Sequence, residues 1–86
     1  MTWDFQLANA AQRAFRRMPE QDRNRINRAL MEMKDDPISG DTIPLKGEYR
    51  GSYRRRVGSW RIIFEPYPAT NVIAIYDIVR RASTTY

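Results

Sequence analysis

Four arginines stand within the thirteen residues 52–64, SYRRRVGSWRIIF: Arg54, Arg55 and Arg56 in a row, and Arg61 after a Gly-Ser pair and a tryptophan. A guanidinium stays charged at any physiological pH and presents a planar fork of donors that matches a phosphate in two places. Several of them on one surface can hold a polyanion such as nucleic acid or an acidic protein segment. The chain has no histidine and no cysteine. That removes the commonest general base, any disulfide framework, and the usual imidazole or thiolate ligands of zinc. Neither a metal nor a cofactor is expected.

Whether the arginines act together depends on strand register. Gly58-Ser59 suits a two-residue hairpin turn. Such a turn sets Val57 opposite Trp60, Arg56 opposite Arg61, Arg55 opposite Ile62, Arg54 opposite Ile63 and Tyr53 opposite Phe64. Cross-strand partners share a face, and faces alternate along a strand. Tyr53, Val57, Trp60, Ile62 and Phe64 then form the core face, whereas Arg54, Arg56 and Arg61 form the other. Arg55 falls on the core face and must reach an edge with its guanidinium, unless the turn is of another kind. Directly opposed like charges such as Arg56 and Arg61 destabilise a sheet, so an anion is expected there: RNA phosphate, an acidic partner segment or a sulfate.

In the final strand, strict alternation puts Val72, Ala74, Tyr76 and Ile78 on one face and Ile73, Ile75, Asp77, Val79 and Arg81 on the other. An unpaired Asp77 resists burial, so its end of the strand should lie with the arginines, as an orienting carboxylate. Arg80 would point away. Tyr86, the last residue, is an aromatic that beside an arginine cluster can stack a nucleobase; a frayed tail is the alternative.

The elements that must carry these residues read as follows. Trp3, Phe5 and Leu7 alternate with Asp4 and Gln6, a short half-buried strand. Ala11, Phe15 and Met18 recur at helical spacing, giving a helix over about residues 8–17. Pro19, followed by Glu20, Gln21 and Asp22, starts a second helix. It carries Ile26, Ala29, Leu30 and Met33 on its apolar side and ends by about Asp35, before Pro37. Residues 37–48, PISGDTIPLKGE, read as a loop. Strands follow over about 49–57, 60–67 and 71–80. The expectation is one α+β domain over residues 1–86, ordered β-α-α-β-β-β: an N-terminal strand and a helical hairpin packed on one face of a mainly antiparallel, four-stranded twisted sheet.

Eighty-six residues are near the lower end of what folds around one core. No apolar run approaches the roughly 18 residues of a membrane span, and the first residues are not a secretory signal. A soluble, cytoplasmic protein with no membrane partner is expected. The net charge of +5 lies wholly in the second half: residues 1–45 carry seven basic and seven acidic side chains, residues 46–86 eight and three. A basic, arginine-dominated region points to a polyanionic partner.

These features together resemble the RelE/ParE toxin superfamily of toxin–antitoxin systems. The resemblance spans nearly the whole chain. It lies in the element order, in PLKGEYRGSYRRRVGSWRIIF (residues 44–64), and in VIAIYDIVRRASTTY (residues 72–86). It implies a type II toxin with a cognate antitoxin as partner. RelE-type members are ribosome-dependent endonucleases that cut mRNA in the ribosomal A site, without metal, by attack of a ribose 2′-OH on the adjacent phosphate. Carried over, Arg54, Arg56, Arg61, Arg81 and Tyr86 form the implied catalytic set. Arg54, Arg56, Arg61, Arg80, Arg81, Lys46 and Arg50 form the implied RNA-binding set, with Arg80 the alternative to Arg81 as the last site arginine. The best-known RelE members carry lysine where Arg54 and Arg56 stand, and arginine hardly gives up a proton. A ParE-type toxin, which inhibits DNA gyrase and needs no nuclease site, is the alternative.

Overall fold

The computed structural model describes residues 2–80. β1 (Asp4–Leu7) leads into α1 (Asn9–Arg17) and α2 (Glu20–Asp35). The helices are joined by Met18 and Pro19. Pro19 presets the backbone at the start of α2 (φ −58°), and Glu20 and Asp22 put negative charge in its first turn. Arg16 and Arg17 close α1 with positive charge. Arg23 reaches back to donate to the Met18 carbonyl at 2.6 Å, satisfying a group at the end of α1.

Next come β2 (Thr42–Pro44), a 3₁₀ turn at Gly47–Tyr49, β3 (Tyr53–Val57), β4 (Trp60–Tyr67) and β5 (Val72–Arg80). One sheet contains five strands in the order β1-β5-β4-β3-β2. β1 runs parallel to β5, and the other pairs are antiparallel. The architecture is the expected α+β arrangement with one strand more. β2 escaped the sequence reading because its three residues lie among proline and glycine signals. At the sheet edge Pro44 can end the strand without breaking a ladder. The strand expected from residue 49 begins only at Tyr53, because Gly47 and Gly51 take positive φ (70° and 97°) and turn the chain between them.

The hairpin of β3 and β4 has the register expected from Gly58-Ser59, from Val57↔Trp60 to Tyr53↔Phe64. Gly58 supplies the positive φ (60°) that the turn needs, and Ser59 stays out of that region, as in a turn with glycine first. Tyr53 and Phe64 stack with ring centroids 5.8 Å apart. Ile62 and Phe64 are fully buried, and Tyr53, Val57 and Trp60 pack against the core.

Both helices cover that same face. Ala11, Met18, Ile26, Ala29, Leu30 and Met33 meet Ile62, Phe64, Ile73, Ile75 and Ile78. Here the strict alternation expected of β5 fails. Ile63 pairs with Asp77 and Phe64 with Ile75, so Tyr76 is an extra residue in a β-bulge. Before the bulge Ile73 and Ile75 point to the helices, and after it Ile78 does. The bulge sends Tyr76 and Asp77 together to the opposite, outer face.

Phe64 is wholly buried at the centre of this layer. Phe64→Ala is expected to cost about 3–5 kcal/mol, a large share of the roughly 5–15 kcal/mol that holds a small domain together. A urea titration followed by circular dichroism should show the midpoint falling sharply or the native baseline lost.

Candidate phosphate-binding cleft

The outer face of the sheet carries two rows across its strands. In one, Arg54 lies beside Ile63, and Ile63 beside Asp77; in the other, Arg56 lies beside Arg61, and Arg61 beside Val79. A cleft of about 550 Å³ opens on this face. Arg54, Arg61 and Ile63 contribute from β3 and β4, Tyr76 and Asp77 from β5, and Tyr49 from the 3₁₀ turn. Among the described residues, Leu45 and Val79 add to its apolar lining. Arg54 and Arg61 thus share one cavity, half-buried over an apolar floor. Partial withdrawal from water strengthens the pull of a guanidinium on a phosphate oxygen.

Arg56 is on the same face but does not line this cleft. Its Nε donates to an Asp41 carboxylate oxygen at 2.9 Å, and its backbone N–H donates to the Asp41 carbonyl at 2.9 Å. The anion expected between Arg56 and Arg61 is therefore supplied at Arg56 by the chain itself. Sequence reasoning missed Asp41 because β2 was unseen. Once Thr42 pairs with Arg55, the preceding residue falls beside Arg56.

Arg55 lies on the helix face, as the register requires, but it does not run out to an edge. It is 6% exposed. Its guanidinium forms an ion pair with Glu32 of α2 and donates to the Ser39 carbonyl (3.2 Å) and hydroxyl (3.1 Å). Gly40 (φ 71°) closes over it: a Cβ at that position would lie 2.7 Å from Arg55 Cζ. The chain is thus tied from Glu32 through Arg55 to Ser39 and Gly40, and from the adjacent Asp41 to Arg56.

The other candidates separate. The Arg80 guanidinium lies over the Trp60 ring, 5.8 Å from its centroid, and Trp60 belongs to the helix face. Arg80 is therefore not among the cleft residues, because the bulge fixes the parity of β5 beyond Tyr76. Lys46 and Arg50 are exposed on the connection between β2 and β3 and do not line the cleft. Arg81 and Tyr86 lie outside the described residues. Tyr49 and Tyr76 were not singled out from sequence as site residues. Strict alternation puts Tyr76 on the opposite face, which the bulge reverses, and Tyr49 sits in a segment that reads as strand from sequence.

Asp77 accepts from the Ile78 backbone N–H at 2.8 Å, which holds its carboxylate in place. The Tyr67 and Tyr76 hydroxyls stand 2.7 Å apart, and both reach the same oxygen of Glu65, at 3.0 and 2.9 Å. The hydrogen bond with Tyr67, then burial, then the Glu65 carboxylate hold the Tyr76 hydroxyl well above the usual phenolic range. Tyr76 is consequently a neutral hydroxyl, not a base, at any physiological pH. Among the described residues, no three carboxylates gather into a possible metal-ligand set.

No protein-family model matches the sequence, and no curated protein matches it significantly. Solved structures do match the fold. The archaeal RelE–RelB complex from Pyrococcus horikoshii contains a chain with TM-score 0.84 and 23% identity, aligned over 98% of this chain and 100% of that one. The isolated RelE toxin of E. coli gives TM-score 0.82 and 13% identity, over 95% and 87%. A YoeB/ParE toxin from Agrobacterium tumefaciens gives TM-score 0.81 and 16% identity, over 92% and 99%. The chain has the fold of the RelE/ParE toxin superfamily.

The two ion pairs should differ in weight. Glu32→Ala leaves the buried Arg55 guanidinium short of its counter-ion and should cost about 1–3 kcal/mol. Asp41→Ala breaks a half-exposed pair and should cost about 0.2–1 kcal/mol. Denaturant unfolding of the two variants tests that order. A second check concerns Tyr76. Its proton is lost more readily from the unfolded chain, so this contribution to stability persists below the ordinary phenolic pKa and fades as pH rises beyond it. In a spectrophotometric phenolate titration, Tyr76→Phe should remove a component at the high-pH end and leave the neutral range unchanged.

Proposed function

We propose that the protein is the toxin of a type II toxin–antitoxin system and that it acts in the cytoplasm as a ribosome-dependent mRNA endonuclease. The observation that carries this reading is the pairing of Arg54 and Arg61 in one cleft on the outer face of a RelE-like sheet. Two guanidiniums there can grip the scissile phosphate and stabilise the charge that builds on it as the adjacent ribose 2′-OH attacks. That attack forms the bond from O2′ to phosphorus as the O2′ proton passes to water, and it breaks the bond to the 5′-oxygen of the next nucleotide, which takes up a proton from water. It leaves a 2′,3′-cyclic phosphate and a free 5′-hydroxyl, which requires no metal.

Within this proposal, Arg54 and Arg61 orient the phosphate and stabilise the transition state. Arg56 contributes if RNA phosphate replaces Asp41 as its partner. Arg81 would assist the leaving 5′-oxygen, and Tyr86 would stack a base. Lys46, Arg50 and Arg80 extend positive charge along the RNA without entering the cleft. Among the described residues no lysine lines the cleft and the Tyr76 hydroxyl is held neutral; the proposed rate enhancement rests on charge stabilisation and positioning. A cognate antitoxin is the proposed protein partner. The P. horikoshii neighbour was solved as a RelE–RelB complex, which supports that part of the reading.

One observation favours a second reading. Arg56 is already neutralised by Asp41, which leaves a nuclease one cation fewer to work with. A ParE-like toxin that binds DNA gyrase would not need it.

Arg61→Ala should lower mRNA cleavage about 10²–10³-fold, the scale for losing one donor to a developing oxyanion. It should relieve growth arrest on induction while fold and antitoxin binding persist. Unchanged toxicity in a folded Arg61→Ala protein would remove the nuclease site. Mapping mRNA 5′ ends after induction separates the two readings. Codon-phased cuts support the endonuclease, whereas trapped cleaved DNA with intact mRNA supports gyrase inhibition.

A further inference from the structure

The cleft has two chemically distinct parts. Arg54 and Arg61 make it cationic, but among the described residues most of its remaining lining is uncharged: Leu45, Ile63 and Val79, with the two aromatic residues Tyr49 and Tyr76. The two tyrosines come from opposite sides. Tyr49 belongs to the turn before β3, and Tyr76 to β5, with β3 and β4 between them. Both are large aromatic residues left substantially open to solvent, 60% and 37% exposed. A pure phosphate site has no use for aliphatic and aromatic side chains in its lining.

Tyr76 is also held in position. The bulge places it on the outer face, and its hydroxyl is tethered to Tyr67 and Glu65. A ring tethered at its far end loses little further freedom when a flat ligand stacks on it. The same bulge sets Asp77 beside it, with one carboxylate oxygen held by the Ile78 N–H. A carboxylate accepts hydrogen bonds and donates none.

We infer that this part of the cleft is a nucleobase subsite: the base of the nucleotide whose phosphate lies at Arg54 and Arg61 enters between Tyr49 and Tyr76, and Asp77 reads its Watson–Crick edge. The inference rests on the phosphate-binding reading of the cleft and adds a specificity to it. A carboxylate favours an edge rich in N–H donors. Guanine offers two adjacent donors, N1–H and the N2 amino group. Uracil offers a single N–H flanked by two carbonyl oxygens that a carboxylate repels. Asp77 therefore selects guanine over uracil, and the tyrosines supply stacking that is blind to sequence.

The test uses purified protein titrated with guanosine 5′-monophosphate or uridine 5′-monophosphate, followed by amide chemical shifts. The Ile78 N–H, bonded to Asp77, is the local reporter. Guanosine monophosphate should shift the Ile63, Tyr76 and Ile78 amides and saturate at the lower concentration. Tyr76→Leu should weaken both ligands about tenfold, the scale of one stacking contact. Tyr76→Phe keeps the ring and should retain most of the affinity, which separates stacking from loss of fold. Asp77→Asn should collapse the difference between the two nucleotides without abolishing binding. Equal affinity for both nucleotides, or discrimination that survives Asp77→Asn, overturns the subsite. So does affinity untouched by Tyr76→Leu. mRNA cleavage by the unmodified protein is scored separately. Cleavage without nucleotide discrimination sinks the subsite and spares the nuclease. Discrimination without cleavage does the reverse.

Discussion

The structure turns on one buried charge. Arg55 lies on the face of the sheet that the helices cover, where an unpaired guanidinium would be very costly. Three groups answer it: the Glu32 carboxylate on α2, and the carbonyl and hydroxyl of Ser39. Satisfying it draws α2, the segment after it and β3 together. Gly40 has to lack a side chain because the segment lies directly on the guanidinium. The next residue, Asp41, is thereby delivered to Arg56 on the far side of the sheet edge. A three-residue strand ending in proline has little pairing strength of its own, and β2 gains its position from this anchorage.

The β-bulge at Tyr76 is the second determinant, and it acts on the other wall of the cleft. Without it, the alternation of β5 would bury either Ile78 or the pair Ile73 and Ile75, but not all three. The extra residue lets three isoleucines face the helices and two consecutive polar-tipped side chains face outward. The core is thereby filled and the cleft gains an aromatic and a carboxylate. Bulges of this kind recur beside functional sites because they re-aim side chains without ending a strand.

The outer surface that results is not a uniform basic patch. Arg56 is matched by Asp41, Arg80 lies on the opposite face over Trp60, and Arg55 is interior. Among the described residues, Arg54 and Arg61 share a cavity with tyrosines and an aspartate. On the proposed reading, such a site suits one phosphate with its base better than a long stretch of backbone. Its fold is shared with toxins whose sequences differ at more than three positions in four. A fold shared so widely does not decide the chemistry, which rests with the side chains that line the cleft.

Much was legible in the sequence, where short-range rules hold. Apolar spacing and the signals at Pro19 and Pro37 placed both helices, because amphipathic periodicity and proline stereochemistry act locally. Gly58-Ser59 set the register of the hairpin, and with it the co-facial Arg54, Arg56 and Arg61 and the core-side Arg55, because a two-residue turn leaves one pairing. What the sequence could not show depends on distant contacts. β2 exists because β3 offers an edge and Arg55 holds the adjoining segment. Asp41 meets Arg56 only through that pairing. Tyr76 turned outward only because the core had room for three isoleucines of β5. Local periodicity determined which residues stand side by side along a strand. Tertiary packing decided that Glu32 and Asp41 neutralise Arg55 and Arg56, and it gathered Arg54 and Arg61 into one cleft with Tyr49, Tyr76 and Asp77.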